Sequence, residues 1–568
     1  MRSLLTLTQE KLSYLLWASV PLLLFFIAYH QAAEAWWMQD DPQLLKMVVA
    51  HSPWEYFFKP TVWRVFSSTN LTPWSLLSFE IDWQLFGFNP HGFYIHHLIS
   101  FAIALIAIYA AITPIWGSPV AGLTTIFFLN SSAAASAVQL LMVRNYVEGL
   151  ALAALSFWCY LQAVRKRRMS LAFAGALLYL FSVTAKEIYV PLAALLPLLP
   201  LGTSRLRWKS ALPYMGVVPV YIMWRLWMLG TNHLLSGYGH HPGWSTVFHF
   251  PYEAIILMGW TNPWQQSILV VNSALFLWFV LTRPRTRLTV SLCLIAILVL
   301  PLVPVISILS YRYLMLPMLF VSLALALGLF HLWQQASRPY MKALSLISGI
   351  ALLTASCTAR DTNPWWQNRQ GVCRYRAEGQ FLMAGPPDAV LVEPFGPGWY
   401  YEGLFWLRRR LMQETRGPQI CGDRCLCHHP GASSGRWWTY ADGVVRPVAH
   451  NNQGCELRPD APLSVKFLYA DGAIRWHFGP YRAGKYAVMA LLDEGTLRQD
   501  ALPGPPLLLP REGSSRVTLY KPTSFWVRYQ SPAGWTTCSP LLSLDATEGS
   551  LLEWYRPMEG VPESKSYQ

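Results

Sequence analysis

The stretch from Ile95 to Val143 contains no Asp, Glu, Lys or Arg. A soluble domain in which about a quarter of the residues are charged cannot easily hold such a stretch. Over the whole chain 53% of residues are hydrophobic and 13% are charged. The composition becomes that of a soluble segment only from Ala359 onward. The sequence therefore predicts an α-helical, polytopic membrane domain over residues 1–358 and a second domain over residues 359–568.

The apolar segments predict about eleven transmembrane helices, since the hydrocarbon core requires about 20 apolar residues per helix. The predicted spans are 13–33, 95–115, 118–140, 148–164, 170–185, 188–202, 211–230, 266–282, 288–308, 314–333 and 343–358. Segments 170–185 and 188–202 are short, which leaves a re-entrant pair as the alternative. The first span is predicted to be retained, because Trp36 and Trp37 follow it where a cleavage site needs small residues.

Basic residues gather in four loops that all lie on one side of the predicted membrane domain. The loops are marked by Arg165 to Arg168, by Arg205 to Lys209, by Arg283 to Arg287, and by Arg338 with Lys342. Because such loops stay in the cytoplasm, the N-terminus is predicted to be cytoplasmic and residues 359–568 to be periplasmic or otherwise extracytoplasmic. These clusters account for much of the net charge of +14, so no nucleic-acid partner is predicted.

Six cysteines fall in the predicted outer domain, at positions Cys373, Cys421, Cys425, Cys427, Cys455 and Cys538. An even number in an oxidising compartment predicts disulfides, compatible with three bridges. The run from Cys421 to His429 leaves a metal site as the alternative, although its spacing matches no common zinc motif.

Ionisable residues concentrate at the predicted outer ends of the spans. The first outer loop, 34–94, carries the adjacent acids Asp40 and Asp41 and further charged residues such as Glu80 and Asp82. Other candidates for one outward-facing cavity are Arg64, His96, His97, Arg144, Glu148, Lys186, Glu187, Arg225, Tyr311, Arg312 and Tyr313. For a single basic or aromatic residue at a span end, contact with lipid headgroups is the alternative. That alternative is weakest for the acidic pair and for Lys186 with Glu187.

Several short motifs of residues 1–358 resemble those of the GT-C superfamily of polytopic glycosyltransferases, which use polyprenyl-phosphate sugars. The motifs are Gln39-Asp40-Asp41-Pro42, Leu85-Phe86-Gly87-Phe88-Asn89-Pro90, Tyr94-Ile95-His96-His97-Leu98, Val143-Arg144-Asn145, Ala185-Lys186-Glu187 and Tyr311-Arg312-Tyr313. Their order is similar to the mannosyltransferase-like branch, which includes the O-mannosyltransferases that carry TPR repeats. This chain departs from that branch in lacking a TPR array and in its histidine pair. The sugar and the acceptor, whether protein, glycan or lipid, therefore stay open.

The resemblance implies a reaction that these residue types suit. A carboxylate takes the proton of an acceptor hydroxyl, and cations stabilise the departing phosphate of the lipid carrier. Asp40 is the predicted base, with Asp41 as its substitute or partner. Arg144, Lys186, Arg225 and Arg312 are the predicted phosphate ligands. The two adjacent carboxylates could instead hold a divalent cation, and the sequence does not decide whether a metal is needed.

The outer domain is predicted to be mainly β and sandwich-like. Alternating runs such as Ser464 to Tyr469 and Ile474 to Phe478 flank Asp471-Gly472, a strong hairpin signal. A mixed segment over 360–420 with a helix near 401–414 is expected to precede them. The competing functions are a transporter or flippase for a lipid-linked glycan and a structural membrane subunit. The absence of a clear internal repeat and the charges at the outer face favour the enzyme.

Overall fold

Helices and strands occupy two compact units of the chain. The computed structural model describes residues 2–66, 70–199, 201–230, 259–260, 262–268, 270–271, 274, 310–336, 338–413, 417–422, 436–448, 456–470, 473–491, 504–516, 522–547 and 549–557. Met1–Ala35 and His51–Arg369 form the membrane unit, whereas Trp36–Ala50 and Gln370–Gln568 form the C-terminal unit. The units differ from the predicted division at 358 because the last long helix continues past that residue and because Trp36–Ala50 packs with the C-terminal segment.

The helices are numbered here in chain order. Those described are α1 Arg2–Tyr29, α2 Asp41–Ala50, α3 Pro53–Phe58, α4 Pro60–Phe66, α5 Pro73–Phe86, α6 Pro90–Trp116, α7 Ser118–Leu129, α8 Ser132–Gln139, α9 Arg144–Lys166, α10 Met169–Ala185, α11 Leu192–Leu195, α12 Ser204–Leu229, α13 Met315–Gln335, α14 Pro339–Asp361, α15 Pro364–Gln367, α16 Arg369–Ala384 and α17 Gly398–Met412. Short 3₁₀ helices are His30–Glu34, Leu141–Val143, Glu187–Tyr189, Leu196–Leu198 and Tyr311–Leu314.

Six of the described helical segments are long and apolar enough to cross a membrane, which confirms an integral membrane fold. They are Leu12–Glu34, Pro90–Trp116, Leu141–Lys166, Ser204–Leu229, Tyr311–Gln334 and Lys342–Asp361. Helices α7 and α8 make a seventh if the bent pair is one span, with 61° between them. The predicted spans 170–185 and 188–202 appear as the shorter apolar helices Met169–Ala185 and Glu187–Leu198. Predicted span 266–282 lies largely, and span 288–308 wholly, outside the described residues.

The predicted first outer loop, 34–94, is mostly helical. Four consecutive helices, α3 to α6, each begin with a proline, at positions 53, 60, 73 and 90. Proline suits the first helical position, because its φ angle is already helical and its missing N–H would have had no partner there. Helix α3 also has a capping box between Ser52 and Glu55. The segment therefore supplies rigid positions for the polar side chains that it carries.

The bend between α7 and α8 gives the membrane unit a buried polar turn. Asn130 ends α7, and the Ser131 hydroxyl accepts a hydrogen bond from the Ala134 N–H at 3.2 Å. Every residue of α8 is buried, and its sequence SAAASAVQ consists mostly of small side chains. Small side chains let neighbouring backbones approach closely. Helix α8 accordingly contacts α14 and the 3₁₀ helix Tyr311–Leu314.

The C-terminal unit is rich in strands. They are β1 Ala389–Val392, β2 Gln419–Cys421, β3 Arg436–Ala441, β4 Val444–Pro447, β5 Glu456–Leu457, β6 Leu463–Ala470, β7 Ala473–Gly479, β8 Lys485–Ala490, β9 Leu507–Leu509, β10 Glu512–Arg516, β11 Thr523–Gln530, β12 Trp535–Cys538, β13 Leu542–Leu544 and β14 Ser550–Arg556. One sheet has the order β2-β1-β3-β4, with β1 parallel to β2 and β3. Helix α17 lies between β1 and β2 in sequence, which confirms the mixed segment and its predicted helix.

The remaining strands form the predicted β-sandwich. One sheet has the order β10-β7-β6-β14, and the other has β5-β12-β11-β8-β9 with β13 beside β11. Their facing side chains share one core, in which the rings of Phe467 and Phe525 meet edge to face at 5.0 Å. Ala470 pairs with Ala473, so β6 and β7 form the predicted hairpin with two connecting residues.

The cysteine prediction of three bridges is not supported, although Cys421 is disulfide-bonded. Cys373 is exposed and has a free thiol, so three bridges among all six outer cysteines do not form. No two cysteines in the described parts of the chain lie at disulfide distance. Cys425, Cys427 and Cys455 lie outside those parts. Among the described residues, no group of three or more His, Cys, Asp or Glu could hold a metal ion.

Candidate functional site

The first part of the site is built where α5 meets the start of α9. Trp74, Ser78 and Asp82 are four residues apart, so they share one side of α5. Arg144 and Glu148 are also four residues apart, in the first turns of α9. The side chains of the two helices meet and form a polar network inside the membrane unit. We call Ser78, Asp82, His96, Arg144 and Glu148 the arginine cluster.

Arg144 is the centre of the arginine cluster and has no exposed surface. Its Nη1 donates hydrogen bonds to Asp82 Oδ2 at 2.5 Å and to Ser78 Oγ at 3.2 Å, and its Nη2 donates to the Phe93 carbonyl at 2.7 Å. The ring of Phe79 lies 4.7 Å from the guanidinium carbon. A buried arginine that is this enclosed holds α5, α6 and α9 together. The structure does not favour the predicted phosphate contact for Arg144.

Glu148 and His96 complete the arginine cluster. Glu148 accepts hydrogen bonds from Ser78 Oγ at 2.6 Å and from Trp74 Nε1 at 2.9 Å. His96 Nδ1 lies 2.6 Å from Asp82 Oδ1, and its Nε2 lies 3.8 Å from Glu148 Oε1. The His96 side chain is 31% exposed, which is more than the side chains of its partners Asp82 and Glu148. His96 and Glu148, predicted as cavity residues, therefore come together with Asp82.

The second part of the site lies where α10 ends and the short helix Glu187–Tyr189 begins. Lys186 Nζ donates a hydrogen bond to Asn70 Oδ1 at 2.5 Å and forms an ion pair with Glu187 Oε1 at 3.0 Å. It also lies 5.3 Å from the centre of the Tyr146 ring. The Lys186 side chain is only 3% exposed. We call Asn70, Tyr146, Lys186, Glu187 and Arg225 the lysine cluster.

Arg225 reaches the lysine cluster from α12. Its Nη1 lies 3.9 Å from Glu187 Oε2 and donates a hydrogen bond to the Tyr221 hydroxyl at 3.3 Å. Glu187 therefore stands between two cations, as their shared carboxylate. Its side chain is 34% exposed, whereas those of Lys186 and Arg225 are 3% and 10% exposed. The cluster can thus bind an anionic oxygen between an ammonium and a guanidinium group.

An aromatic pair connects the lysine cluster with the 3₁₀ helix Tyr311–Leu314. The rings of Tyr146 and Tyr313 pack edge to face, with 6.1 Å between their centres. Arg312 lies 5.4 Å from the centre of the Tyr313 ring. Tyr311 is half-buried at the start of the same short helix. The predicted residues Arg312 and Tyr313 are therefore linked to Lys186 through Tyr146.

Two predicted residues have other roles in the membrane unit. Arg64 is exposed and donates hydrogen bonds to the carbonyls of Trp227 and Met228, which are the last turn of α12. An arginine at a helix C-terminus stabilises the carbonyls that have no partner within the helix. His97 is fully buried, with Nε2 2.7 Å from the Ala137 carbonyl. Neither contact involves the arginine cluster or the lysine cluster.

The acidic pair belongs to the C-terminal unit. Asp41 has no exposed surface, and its Oδ2 accepts a hydrogen bond from the Met38 N–H at 2.8 Å. Asp40 is partly exposed, and its carbonyl accepts the N–H groups of Gln43 and Leu44 at the start of α2. Burial raises the pKa of the neighbouring Tyr375 above its ordinary value, and the charges of Glu378 and the acidic pair act in the same direction.

Sequence reasoning missed several partners of the predicted residues. Asn70, Trp74, Ser78, Tyr146 and Tyr221 are uncharged, so a search for intramembrane charges passes over them. Asp82 was visible as a charge of the first outer loop, but its pairing was not. The spacing of Trp74, Ser78 and Asp82 after Pro73 is the signal that could have found them, because it marks one side of a helix.

No family model and no curated protein matches this sequence. A solved structure, titled the crystal structure of ArnT from Cupriavidus metallidurans bound to undecaprenyl phosphate, is similar over 77% of this chain and 98% of that chain. The sequence identity is 11% and the TM-score is 0.43. At this identity and TM-score the likeness identifies neither a reaction nor a site residue in this chain.

Proposed function

We propose that the protein is a membrane glycosyltransferase that moves a sugar from a polyprenyl-phosphate carrier to an acceptor hydroxyl, with the lysine cluster as its phosphate site. The observation that supports this most is the position of Glu187 between Lys186 and Arg225, at 3.0 Å and 3.9 Å. A carboxylate and a phosphate oxygen present the same charge and hydrogen-bonding capacity to these cations. The donor phosphate would take the place that the Glu187 carboxylate now has.

The lysine cluster would act on both the bound donor and the departing group. The acceptor oxygen attacks the anomeric carbon, the bond from that carbon to the phosphate oxygen breaks, and the electron pair leaves with the polyprenyl phosphate. Lys186 and Arg225 would stabilise the negative charge that grows on that oxygen. Arg312, linked through the Tyr313 and Tyr146 rings, is a further phosphate ligand in this proposal.

Arg144 has a different role in this proposal from the one that the sequence suggested. Its contacts with Asp82, Ser78 and the Phe93 carbonyl make it a positioning residue that fixes the start of α9. Tyr146 and Glu148 lie in that same turn. Fixing this turn keeps the Tyr146 ring beside Lys186, so Arg144 would affect donor binding through Tyr146.

Asp40 is the proposed base, which takes the proton of the acceptor hydroxyl. This role rests on the sequence motif Gln39-Asp40-Asp41-Pro42 and on the partial exposure of Asp40, in contrast to the buried Asp41. A base must be reachable by the hydroxyl that it deprotonates. Transfer measured with and without EDTA tests whether a divalent cation acts at the two acids.

The test is transfer and donor binding by the purified protein in detergent. Polyprenyl-phosphate sugars are offered with candidate acceptors, and the release of polyprenyl phosphate is followed. We expect Lys186→Met to weaken donor binding by about tenfold to a hundredfold, since a charge-assisted hydrogen bond contributes about 1.5–3 kcal/mol. Turnover should fall as well, because the contact also exists in the transition state.

The matched control is Lys59→Met, since Lys59 is an exposed lysine that pairs with Glu55. We expect its donor binding and turnover to equal those of the wild type. Wild-type donor binding by a folded Lys186→Met variant would reject the phosphate site. Transport of a lipid-linked glycan across vesicles, without any transfer to an acceptor, would reject the enzyme in favour of a flippase.

A further inference from the structure

A cavity of about 380 Å³ opens between two membrane spans, and none of its lining residues belongs to either cluster. Its wall comes from α1, α14, α15 and the turn after α7. The lining residues are Leu24, Ile27, Ala28, Gln31, Asn130, Leu353, Cys357, Arg360, Asp361 and Trp366. A volume of this size lies within the range of small-molecule sites, about 300–1,000 Å³.

The cavity is apolar at one end and polar at the other. Leu24, Ile27 and Ala28 of α1 and Leu353 of α14 line the apolar end. Asp361 is the last residue of the candidate span Lys342–Asp361, and a helix rises about 1.5 Å per residue, so Leu353 lies about 12 Å deeper. The apolar end therefore faces the hydrocarbon of the bilayer, and the polar end lies at the level of the headgroups.

Arg360 and Asp361 give the polar end one positive and one negative group. Arg360 Nε donates a hydrogen bond to Asp361 Oδ1 at 2.7 Å, and its Nη1 donates to Asn130 Oδ1 at 2.8 Å. Arg360 Nη2 makes no hydrogen bond with any described residue. The side chains of Arg360 and Asp361 are 18% and 55% exposed, so solvent or a lipid headgroup reaches both.

The surroundings hold Arg360 in this position. Asn130 is 3% exposed, and its Nδ2 donates a hydrogen bond to the Ile126 carbonyl at 2.9 Å. Its oxygen thus faces Arg360 from the fixed turn between α7 and α8. The Trp366 ring packs edge to face against Tyr29 at 5.0 Å. The polar end is therefore prearranged before any ligand binds.

We propose that this cavity binds a zwitterionic amino phospholipid, such as phosphatidylethanolamine, in the leaflet at which α14 ends. The lipid phosphate contacts Arg360, the headgroup ammonium contacts Asp361, and part of an acyl chain lies along Leu24, Ile27 and Leu353. An anionic lipid such as phosphatidylglycerol gains the same arginine contact but is repelled by the Asp361 carboxylate. A polyprenyl phosphate has no ammonium group for Asp361. This site does not depend on the proposed sugar transfer.

The test is native mass spectrometry of the full-length protein, titrated separately with phosphatidylethanolamine and phosphatidylglycerol of identical acyl chains. We expect one phosphatidylethanolamine to be retained at least about fivefold more strongly than phosphatidylglycerol, a preference of about 1 kcal/mol. Arg360→Ala should lower the retention of both lipids. Asp361→Lys should reverse the preference, because an ammonium at that position attracts the anionic lipid.

Two further variants keep the test decisive if Arg360→Ala does not fold. Ala28→Phe fills the apolar end and should lower phosphatidylethanolamine retention, although no charge is changed. Arg338→Ala removes an arginine that precedes the other end of α14 and should retain the lipid as the wild type does. Equal retention of the two lipids by the wild type, or an unchanged preference in folded Asp361→Lys, would overturn the proposal. So would tighter retention of polyprenyl phosphate at the same residues.

Discussion

Glu187 is the counter-ion of the lysine cluster when no ligand is bound. Its carboxylate lies between Lys186 and Arg225, so it balances their charge while no other anion is bound. Two cations held at low exposure without an anion would repel each other. A bound phosphate would therefore have to compete with Glu187 for the same two side chains.

This competition predicts opposite effects for Glu187→Gln on stability and on binding. We expect the unliganded variant to unfold at a lower temperature, because the amide does not neutralise Lys186 and Arg225. Affinity for polyprenyl phosphate should rise, because the phosphate no longer displaces a carboxylate. Thermal unfolding in detergent and binding of polyprenyl phosphate measure the two effects. Weaker phosphate binding by this variant would contradict the competition.

Asp40 and Asp41 are adjacent but differ in exposure, which predicts different consequences for their amide variants. Asp40→Asn should lower turnover about 10²-fold to 10⁴-fold with little change in donor affinity, because it removes only the proton acceptor. Asp41→Asn should lower the free energy of unfolding by about 1–3 kcal/mol, because the buried bond from the Met38 N–H then goes to a neutral amide in place of a charged carboxylate. Turnover assays and thermal unfolding separate the two.

The Asp40 and Asp41 assignments can each fail. A larger loss of turnover in stable Asp41→Asn than in Asp40→Asn would exchange their roles. Normal transfer by a folded Asp40→Asn/Asp41→Asn double variant would remove the acidic pair from the reaction.

At the scale of elements, the contact between α5 and α9 contains one buried ion pair, Asp82 with Arg144. Asp82→Asn leaves Arg144 charged at zero exposure, so we expect a loss of about 3–5 kcal/mol in the free energy of unfolding. The double variant Asp82→Leu/Arg144→Met should recover most of that loss, since it removes both charges. Thermal unfolding checks this series. A double variant less stable than Asp82→Asn would show that the pair is not the cause.

The control for this series is the exposed pair Glu456 and Arg458, whose side chains are 58% and 52% exposed. Exposed ion pairs contribute little to stability. Glu456→Gln should therefore unfold at the temperature of the wild type.

The β-sandwich should weaken at high pH through its buried tyrosines. Burial raises the pKa of Tyr486 to about 12, while an unfolded tyrosine ionises near pH 10. The folded state disfavours the ionised form, so this contribution is complete below about pH 10 and is lost as the pH rises toward 12. Tyr486→Phe should be less stable at pH 7, since the hydrogen bond to the Tyr481 carbonyl is lost, but its stability should fall less steeply above pH 10.

Tryptophan fluorescence during thermal unfolding, measured at several pH values for the wild type and Tyr486→Phe, tests this. If the stability of the two proteins changed with pH in parallel, Tyr486 would be excluded as a source of the loss of stability at high pH.

Some elements were predictable because their signal is local. The long spans follow from unbroken apolar runs, and the hairpin between β6 and β7 follows from Asp471-Gly472 between alternating strands. The helices of 34–94 also have local marks in Pro53, Pro60 and Pro73, although the segment looks like a loop by hydropathy. The pairing of Asp82 with Arg144 has no local signal, because the partners are far apart in sequence and only packing brings them together.

At the scale of the whole molecule, the sequence predicts which side of the membrane each terminus faces. A periplasmic reporter joined at Gln568 should be active, and a cytoplasmic reporter at the same position inactive, because the basic loops stay in the cytoplasm. Fusions after Arg168 should show the opposite pattern and serve as the control. Cytoplasmic activity at Gln568 would mean that the membrane domain has an even number of spans.

The sequence did not predict which segments make up the C-terminal unit. Trp36–Ala50 belongs to it, although the apolar runs assign that segment to the first outer loop. Within the unit, Gln43 Nε2 donates a hydrogen bond to the Trp399 carbonyl at 2.7 Å, and Lys46 lies 3.7 Å from Glu402. Gly403 allows the approach, since a Cβ there would lie 2.7 Å from the Cβ of Pro42.

This contact has a consequence for biosynthesis. Helix α2 is made early, but its partner helix α17 leaves the ribosome only after the last membrane span has been synthesised. Until then the apolar side chains of α2, such as Leu44, Leu45 and Val48, have no native partner to cover them. This segment must therefore escape aggregation and proteolysis throughout membrane insertion. In a chain that stops before Gly398, the apolar surface of α2 would stay exposed.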